Sequence, residues 1–355
     1  IDNSSGTCTA NITNNLSNRR VNKNGSFIIS QKNADTEITL GSSGDKWIDL
    51  IQTYLNNTAT FKAQRVSDAP AGFQYSAKHT VSSADGSVAN GDEAMFIHRI
   101  EGYDTAKFAY GTSSAKQVTV SFYVKSSLTG DFSFAAQTGG RNYVNEYTIS
   151  SANTWERKSF TLPVLTDGTH NTTTGTGLSL IWDLGSGDTY ATSTLGSWVT
   201  ASNIYRSTGS SRVSTNASAT WQITGIQVEE GTIVTDFEHR SFGQELALCQ
   251  RYLYILDLGA VANIRYLILH RLNLNSGAPH LPIEFPVVMR SAPSMSKDGT
   301  SFTGSGYQSN ISLGGVLASG CNVSGDVATA AGDSSYHRVN NTSGSTLRYL
   351  FSAEL

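Results

Sequence analysis

From Val118 to Lys125 the sequence VTVSFYVK alternates with a period of two. Val118, Val120, Phe122 and Val124 share one side, and Thr119, Ser121, Tyr123 and Lys125 share the other. A helix would scatter these apolar residues around its circumference, whereas a strand gathers them on one face. The pattern therefore predicts an antiparallel strand with one face on a core and a hydroxyl-rich face on water. Similar runs recur, separated by Gly, Ser and Asn turns. They are ATFKAQRVS, AMFIHRIEGY (94–103), TWERKSFTLPV (154–164), TGLSLIWDLG (176–185) and ATWQITGIQVEEG (219–231), the last with Trp221, Ile223 and Ile226 as core anchors. Many short strands at fairly even spacing describe an all-β chain, a jelly-roll β-sandwich.

Composition agrees, because Ser and Thr make up about a quarter of the chain and there are 33 Gly and only 6 Pro. A net charge of -3 gives no electrostatic reason to expect nucleic acid. No apolar run approaches the roughly 20 residues of a spanning helix, so no membrane insertion is expected. Cys8, Cys249 and Cys321 are too scattered for a disulfide framework or a zinc knuckle. A chain opening on Ile1 reads as processed, or as the distal part of something longer.

Three regions are expected. Residues 1–24 are polar and aperiodic, and read as an arm or linker that must pack on something else to be ordered. Residues 25–240 form the jelly roll. Residues 241–355 hold a short helix and a smaller C-terminal β-sandwich. The helix begins at a capping box of Ser241 and Gln244. Leu246, Cys249 and Leu253 then fall on one stripe. Phe237, Glu238 and Arg240 complete the joint, Phe237 as an apolar plug and its charged neighbours as an ion pair or carbonyl contact. Downstream, LPIEFPVVM carries Pro282 and Pro286, which demote it to an edge strand or bulge.

Three landmarks carry a resemblance. The first is NRRVNKNGSFIISQKN followed by GDKWIDL, with Lys46 where Arg is usual and an extra Lys-Asn before Gly25. The second is WQITGIQVEEGTIVTDFEHRSFGQELALCQRYLY, and the third is FPVVMRSAPSM with a final FSAEL. In this order they are similar to the distal tail-fibre and receptor-binding proteins of tailed bacteriophages. The resemblance covers most of the chain after Asn22. It implies a virion protein, a jelly roll like that of carbohydrate-binding modules, and a homotrimer associated with other tail or fibre proteins.

The search for chemistry returns no enzyme signature. Glu229 and Glu230 are neighbours on a strand and point to opposite faces, as do Asp92 and Glu93. No HExxH, nucleophile elbow or phosphate loop is present. Asp183 and Asp188, in DLGSGDTY, are weak calcium candidates, as are Asp85 and Asp92; no other cofactor is expected. For binding, aromatic faces beside amides suit sugars. Arg141, Asn142, Tyr143 and Tyr147 flank a Gly-Gly turn, Trp182 and Trp198 form a second group, and Tyr336, His337 and Arg338 form a third. The expected function is non-catalytic recognition of host-surface polysaccharide by a fibre subunit. In a homotrimer, three weak sites multiply avidity. The alternatives are a virion adaptor that binds no glycan and, disfavoured by the missing acid pair, a polysaccharide depolymerase.

Overall fold

The computed structural model describes residues 18–33, 35–41, 44–201, 203–257, 265–268, 280–298, 311–325, 337–340 and 348–355. It packs as two compact units, Ile1–Phe27 with Thr36–Asp45 and Gln52–Arg240, and Ile28–Asp35 with Lys46–Ile51 and Ser241–Leu355. The division falls after Arg240. Two segments expected in the jelly roll, Ile28–Asp35 and Lys46–Ile51, belong to the second unit instead.

The first unit is a sandwich of two antiparallel sheets. One contains, in spatial order, Ile38–Thr39, Thr60–Val66, Ser76–Ser83, Thr220–Glu230, Val118–Ser126 and Glu156–Leu162. The facing sheet contains Trp198–Val199, Arg141–Ile149, Gly130–Thr138, Thr176–Asp183, Glu93–Glu101 and Ile51–Asn56. Successive strands or hairpins along the chain alternate between the sheets, so the last strand lies between two much earlier ones. That winding makes a jelly roll. Between the sheets lies an aromatic core. Trp182 meets Phe122 edge-on at 5.2 Å, Phe134 stacks on Phe160 at 4.8 Å, and the Trp221 indole donates to the Tyr147 hydroxyl at 3.1 Å.

Val118, Val120, Phe122 and Val124 face this core as their alternation requires. The opposite face of that strand departs from expectation, because Thr119 and Ser121 are also buried. The chain returning from the last strand covers it, and Thr119 donates to the Gly231 carbonyl at 2.6 Å.

The described part of the N-terminal arm packs within the first unit. Arg20, Asn22, Lys23 and Asn24 are polar yet buried. Strand Thr220–Glu230 changes register against Val118–Ser126 between Thr224 and Gln227. A bulge of this kind leaves backbone groups outside the ladder, and residues 21–25 bind them. The Asn22 amide donates to the Ile226 carbonyl at 2.8 Å and accepts from the Val228 N–H at 2.9 Å. Val21 N–H donates to Val228, and Ile226 N–H donates to the Gly25 carbonyl, at 2.8 and 2.9 Å.

Phe237, Glu238 and Arg240 clamp the same arm. Glu238 accepts from the backbone N–H groups of Asn18 and Arg20, the latter at 2.7 Å. Arg240 donates to the carbonyls of Asn22 and Arg20. Phe237 packs on Phe73 at 5.0 Å, and the Arg20 guanidinium lies over its ring at 4.8 Å.

In the second unit, Ser241 caps helix Phe242–Gln250 through a reciprocal capping box with Gln244. Cys249 is buried and Leu246 half-buried, while Leu253 opens the next strand rather than extending the helical stripe. Strand Leu253–Asp257 pairs with Arg348–Ser352, which pairs in turn with Ser294–Asp298. Beneath them Ile283, Phe285, Met289, Tyr349 and Phe351 form a core. His280–Glu284, with Pro282, is the edge strand of a second small sheet beside Gly320–Gly325 and Ile311–Leu317. Arg265–Ile268 pairs with His337–Asn340.

The early segments join this unit through side chains. Gln31 bridges the Asp49 carboxylate and the Leu253 carbonyl, and Arg348 donates to the Lys32 carbonyl at 2.9 Å. Arg290 donates to the Ala353 carbonyl at 2.6 Å, next to Glu354, whose carboxyl burial pushes up to about 7.

Candidate functional site

The outer face of the second sheet is built by alternation. In strand Glu93–Glu101, Phe96, His98 and Ile100 point into the core, so Met95, Ile97 and Arg99 point out. Antiparallel register aligns their neighbours into rows. Ile97 stands opposite Ile181, Ile181 opposite Ala135, and Ala135 opposite Val144. One step along, Arg99 stands opposite Ser179, Ser179 opposite Gln137, and Gln137 opposite Asn142. An apolar row thus runs beside a polar one.

The apolar row is sealed. Tyr54, Tyr190, Ile204 and Tyr205 pack over Met95, Ile97, Ala135, Val144 and Ile181. Tyr190 and Tyr205 stack at 4.9 Å, and the Tyr205 hydroxyl donates to Glu93. Burial, and then the Glu93 carboxylate, raise both phenols above their ordinary range.

The polar row stays half-open at Gln52, Arg99 and Gln137, while Ser179 and Asn142 are buried. The Arg99 guanidinium donates to the Gln52 side-chain carbonyl, and burial lowers its pKa. Gln137 donates to the Asn142 carbonyl oxygen at 2.6 Å, and Asn142 donates to the Ala201 carbonyl. Five adjacent strands contribute one polar side chain each, a line about 19 Å long at the usual strand spacing. Such a line of amide, hydroxyl and guanidinium groups, flanked by Tyr54, can bind the hydroxyls of an extended polar chain.

Of the residues singled out from sequence, Asn142 lies on this face. The others are placed elsewhere. Tyr143 and Tyr147 alternate with it and point inward, 2% and 4% exposed. Trp182 is fully buried between the sheets, so its ring presents no face to a ligand. Trp198 is half-buried at the sheet edge, against Tyr110 and Tyr143, with its indole donating to the Pro163 carbonyl at 2.9 Å. Arg141 forms a two-pronged pair with Asp167, 2.8 Å at the shorter contact. Tyr336 lies outside the described residues. The backbones of His337 and Arg338 pair with Ile268 and Leu267, and their side chains are likewise outside what is described.

Asp183 and Asp188 meet guanidinium groups. Asp183 is buried with Arg206 at 3.6 Å, and Asp188 contacts Arg206 at 3.0 Å and Arg212 at 2.5 Å. Burial raises the Asp183 pKa against the opposing pull of Ser186 and Arg206. The other Asp183 oxygen accepts from the Ser186 N–H at 2.9 Å. Asp85 accepts from the Ser87 N–H, and Asp92 from Ala89. Glu229 is buried among Gln227 and Thr235, whereas Glu230 pairs with Lys116 at 2.7 Å, on the opposite face. Among the described residues no cluster of three or more His, Cys, Asp or Glu side chains could hold a metal, and no helix is long and apolar enough to cross a membrane.

Gln52, Tyr54, Arg99, Gln137 and Ser179 were missed from sequence. AMFIHRI is apolar at both parities, so its alternation does not say which residues face out.

No protein-family model and no curated protein matches the chain. Solved structures similar to it include the enzymatically active domain of tailspike protein 4 from bacteriophage CBA120. That match has 11% identity and a TM-score of 0.30, and covers 60% of this chain and 22% of the tailspike chain. A family 11 carbohydrate-binding module of a cellulosomal cellulase from Clostridium thermocellum matches at 13% identity and a TM-score of 0.28, over 59% of this chain and 99% of the module. The carbohydrate-binding module TmCBM61, solved with β-1,4-galactotriose, matches at 12% identity and a TM-score of 0.28, over 60% of this chain and 99% of its own. Identities of this size transfer no function to this chain.

Proposed function

We propose that the chain is a glycan-binding subunit of a phage tail fibre, acting without catalysis through the outer face of the second sheet. The observation that carries this reading is the half-open polar row from Gln52 to Asn142 beside Tyr54. Its side chains are held by mutual hydrogen bonds, Arg99 to Gln52 and Gln137 to Asn142, and so are ordered before a ligand arrives. The landmark resemblance supplies the virion setting.

Purified protein is expected to bind bacterial surface polysaccharides on an array and to adsorb to host cells. Gln137→Ala is expected to weaken binding about five- to tenfold, the worth of one neutral hydrogen bond. No binding at micromolar protein would favour the adaptor reading.

The proposal includes a homotrimer. In the second unit, Val288 and Leu317 are 61% and 64% exposed and adjoin the Met289 to Ala318 hydrogen bond. Symmetric packing would cover such apolar surface. Native mass spectrometry is expected to show three 38.0 kDa chains. A monomer at micromolar concentration would remove the trimer and its avidity.

A further inference from the structure

Arg99 differs from the other arginines around this face. Arg206 and Arg212 share Asp188, and Arg141 holds Asp167. Arg99 is half-buried, yet its hydrogen-bond partner is the neutral side chain of Gln52. Among the described residues no carboxylate lies within ion-pair range of it.

Among the described residues, the glutamates of the same sheet do not neutralise it. Glu146 is four residues beyond Asn142 on its strand, about 13 Å along. Glu93 is six residues from Arg99, about 20 Å along. Each already accepts a hydrogen bond from a hydroxyl, Glu146 from Ser207 and Glu93 from Tyr205. Glu101, two residues on, is buried where its strand changes register, and forms no ion pair with Arg99. A partly desolvated guanidinium without a counter-charge favours any ligand that supplies one.

We propose that the polar row selects an acidic glycan, with Arg99 pairing the carboxylate of a uronic acid or similar sugar acid. Ser179 and Gln137, in register beside it, then meet the hydroxyls of the same or the next residue. The planar guanidinium fork matches a carboxylate at two points. One cation suits a sugar bearing one negative charge better than a phosphate, which needs several. This inference rests on the reading of the row as a glycan site.

The test is an array of uronate- and sialate-bearing bacterial polysaccharides, each beside its carboxyl-reduced neutral counterpart, probed with the full chain. Carboxyl reduction is expected to weaken binding of the wild-type protein about ten- to hundredfold, the worth of a charge-assisted pair. Arg99→Gln is expected to lose the same factor on the native polysaccharides and, on the reduced ones, no more than the roughly fivefold worth of one neutral hydrogen bond. Equal wild-type binding to native and reduced partners would overturn the acidic-glycan inference while leaving the glycan site standing. Binding to neither would overturn both. Because the first comparison uses unaltered protein, it does not depend on how well the variant folds.

Discussion

Gly25→Ala is expected to lower the unfolding free energy of the first unit by about 3 kcal/mol or more. A Cβ on Gly25 would stand 2.0 Å from the Ile226 carbonyl oxygen and 2.8 Å from the Asn22 amide nitrogen. The carbonyl belongs to the bulge of a strand held before and after it by the ladder to Val118–Ser126, so it withdraws only by disturbing that pairing. The added methyl must therefore push residues 21–25 off the bulge, and Ile226 N–H and Val228 N–H lose their acceptors together. Asn22→Ala tests the same contact without overpacking. It leaves the Ile226 carbonyl and the Val228 N–H without that partner in a buried place, about 2–4 kcal/mol. Gly86→Ala is the control, because nothing lies near its Cβ, and is expected within about 0.5 kcal/mol of the parent. Urea unfolding followed by tryptophan fluorescence reads the first unit, which holds four of the five tryptophans. Gly25→Ala unfolding at the same midpoint as Gly86→Ala would show that the arm does not support the bulge.

This contact also explains what the three sequence landmarks are. NRRVNKNG and QVEEG…DFEHR meet each other in the first unit, through Asn22, Glu238 and Arg240. IISQKN, DKWIDL, LCQRYLY, MRSAP and FSAEL meet in the second, through Gln31, Asp49, Arg290 and Arg348. The recognisable segments are therefore scaffold, holding a bulge and a chain end in place. The candidate site lies in the strands between them, where Gln52, Arg99, Gln137 and Ser179 belong to no landmark. A likeness carried by scaffold residues says little about which ligand the intervening strands meet.

The same division governs what the sequence could reveal. The strand from Val118 was legible because only one of its parities is apolar. AMFIHRI was not, since Met95 and Ile97 are covered by Tyr54, Tyr190 and Ile204 as fully as Phe96 is covered by Trp182. At Arg141–Ile149 the Gly139–Gly140 turn was visible, both residues having positive φ in a hairpin. Grouping the residues by their nearness to that turn, however, put Asn142 and Tyr143 together. Neighbours on a strand face opposite ways, and only Asn142 points to the outer side of the sheet. At residues 20–24 polarity does not mark a solvated segment, because a polar side chain satisfied by backbone is as buried as an apolar one.

Between pH 7 and pH 5 the first unit is expected to lose about 4 kcal/mol of stability. His79 and His98 are the main cause, with a smaller share from His239, whose pKa is also lowered by burial and by Arg20. The first two are fully buried, and burial lowers each imidazole from 6.5 to about 3; for His98 the nearby Arg20 and Lys23 add to the effect. His79 Nε2 lies 2.8 Å from the Thr53 hydroxyl, and the ring meets Phe96 edge-on at 5.6 Å, surroundings that disfavour a cation through burial. In the unfolded chain each ring takes up a proton below its ordinary pKa of 6.5, while in the fold it stays neutral until about 3. Stability is therefore fully present above 6.5 and falls with pH through that window, by about 1.4 kcal/mol per pH unit per histidine. Asp183 acts in the opposite sense, because its pKa is raised in the fold. It gains a proton there first as pH falls and offsets part of the loss towards the acid end. Asp68, Glu156 and Glu238 have lowered pKa values and contribute further loss below about pH 4.5, outside the interval measured. Replacing both rings, as His79→Phe with His98→Leu, is expected to reduce the pH 7 to pH 5 difference in urea-unfolding free energy to under about 1 kcal/mol, whatever the absolute stability of the variant. If wild type and variant weaken equally on acidification, the imidazoles are already solvated or paired in the fold and are not what limits the sandwich in acid.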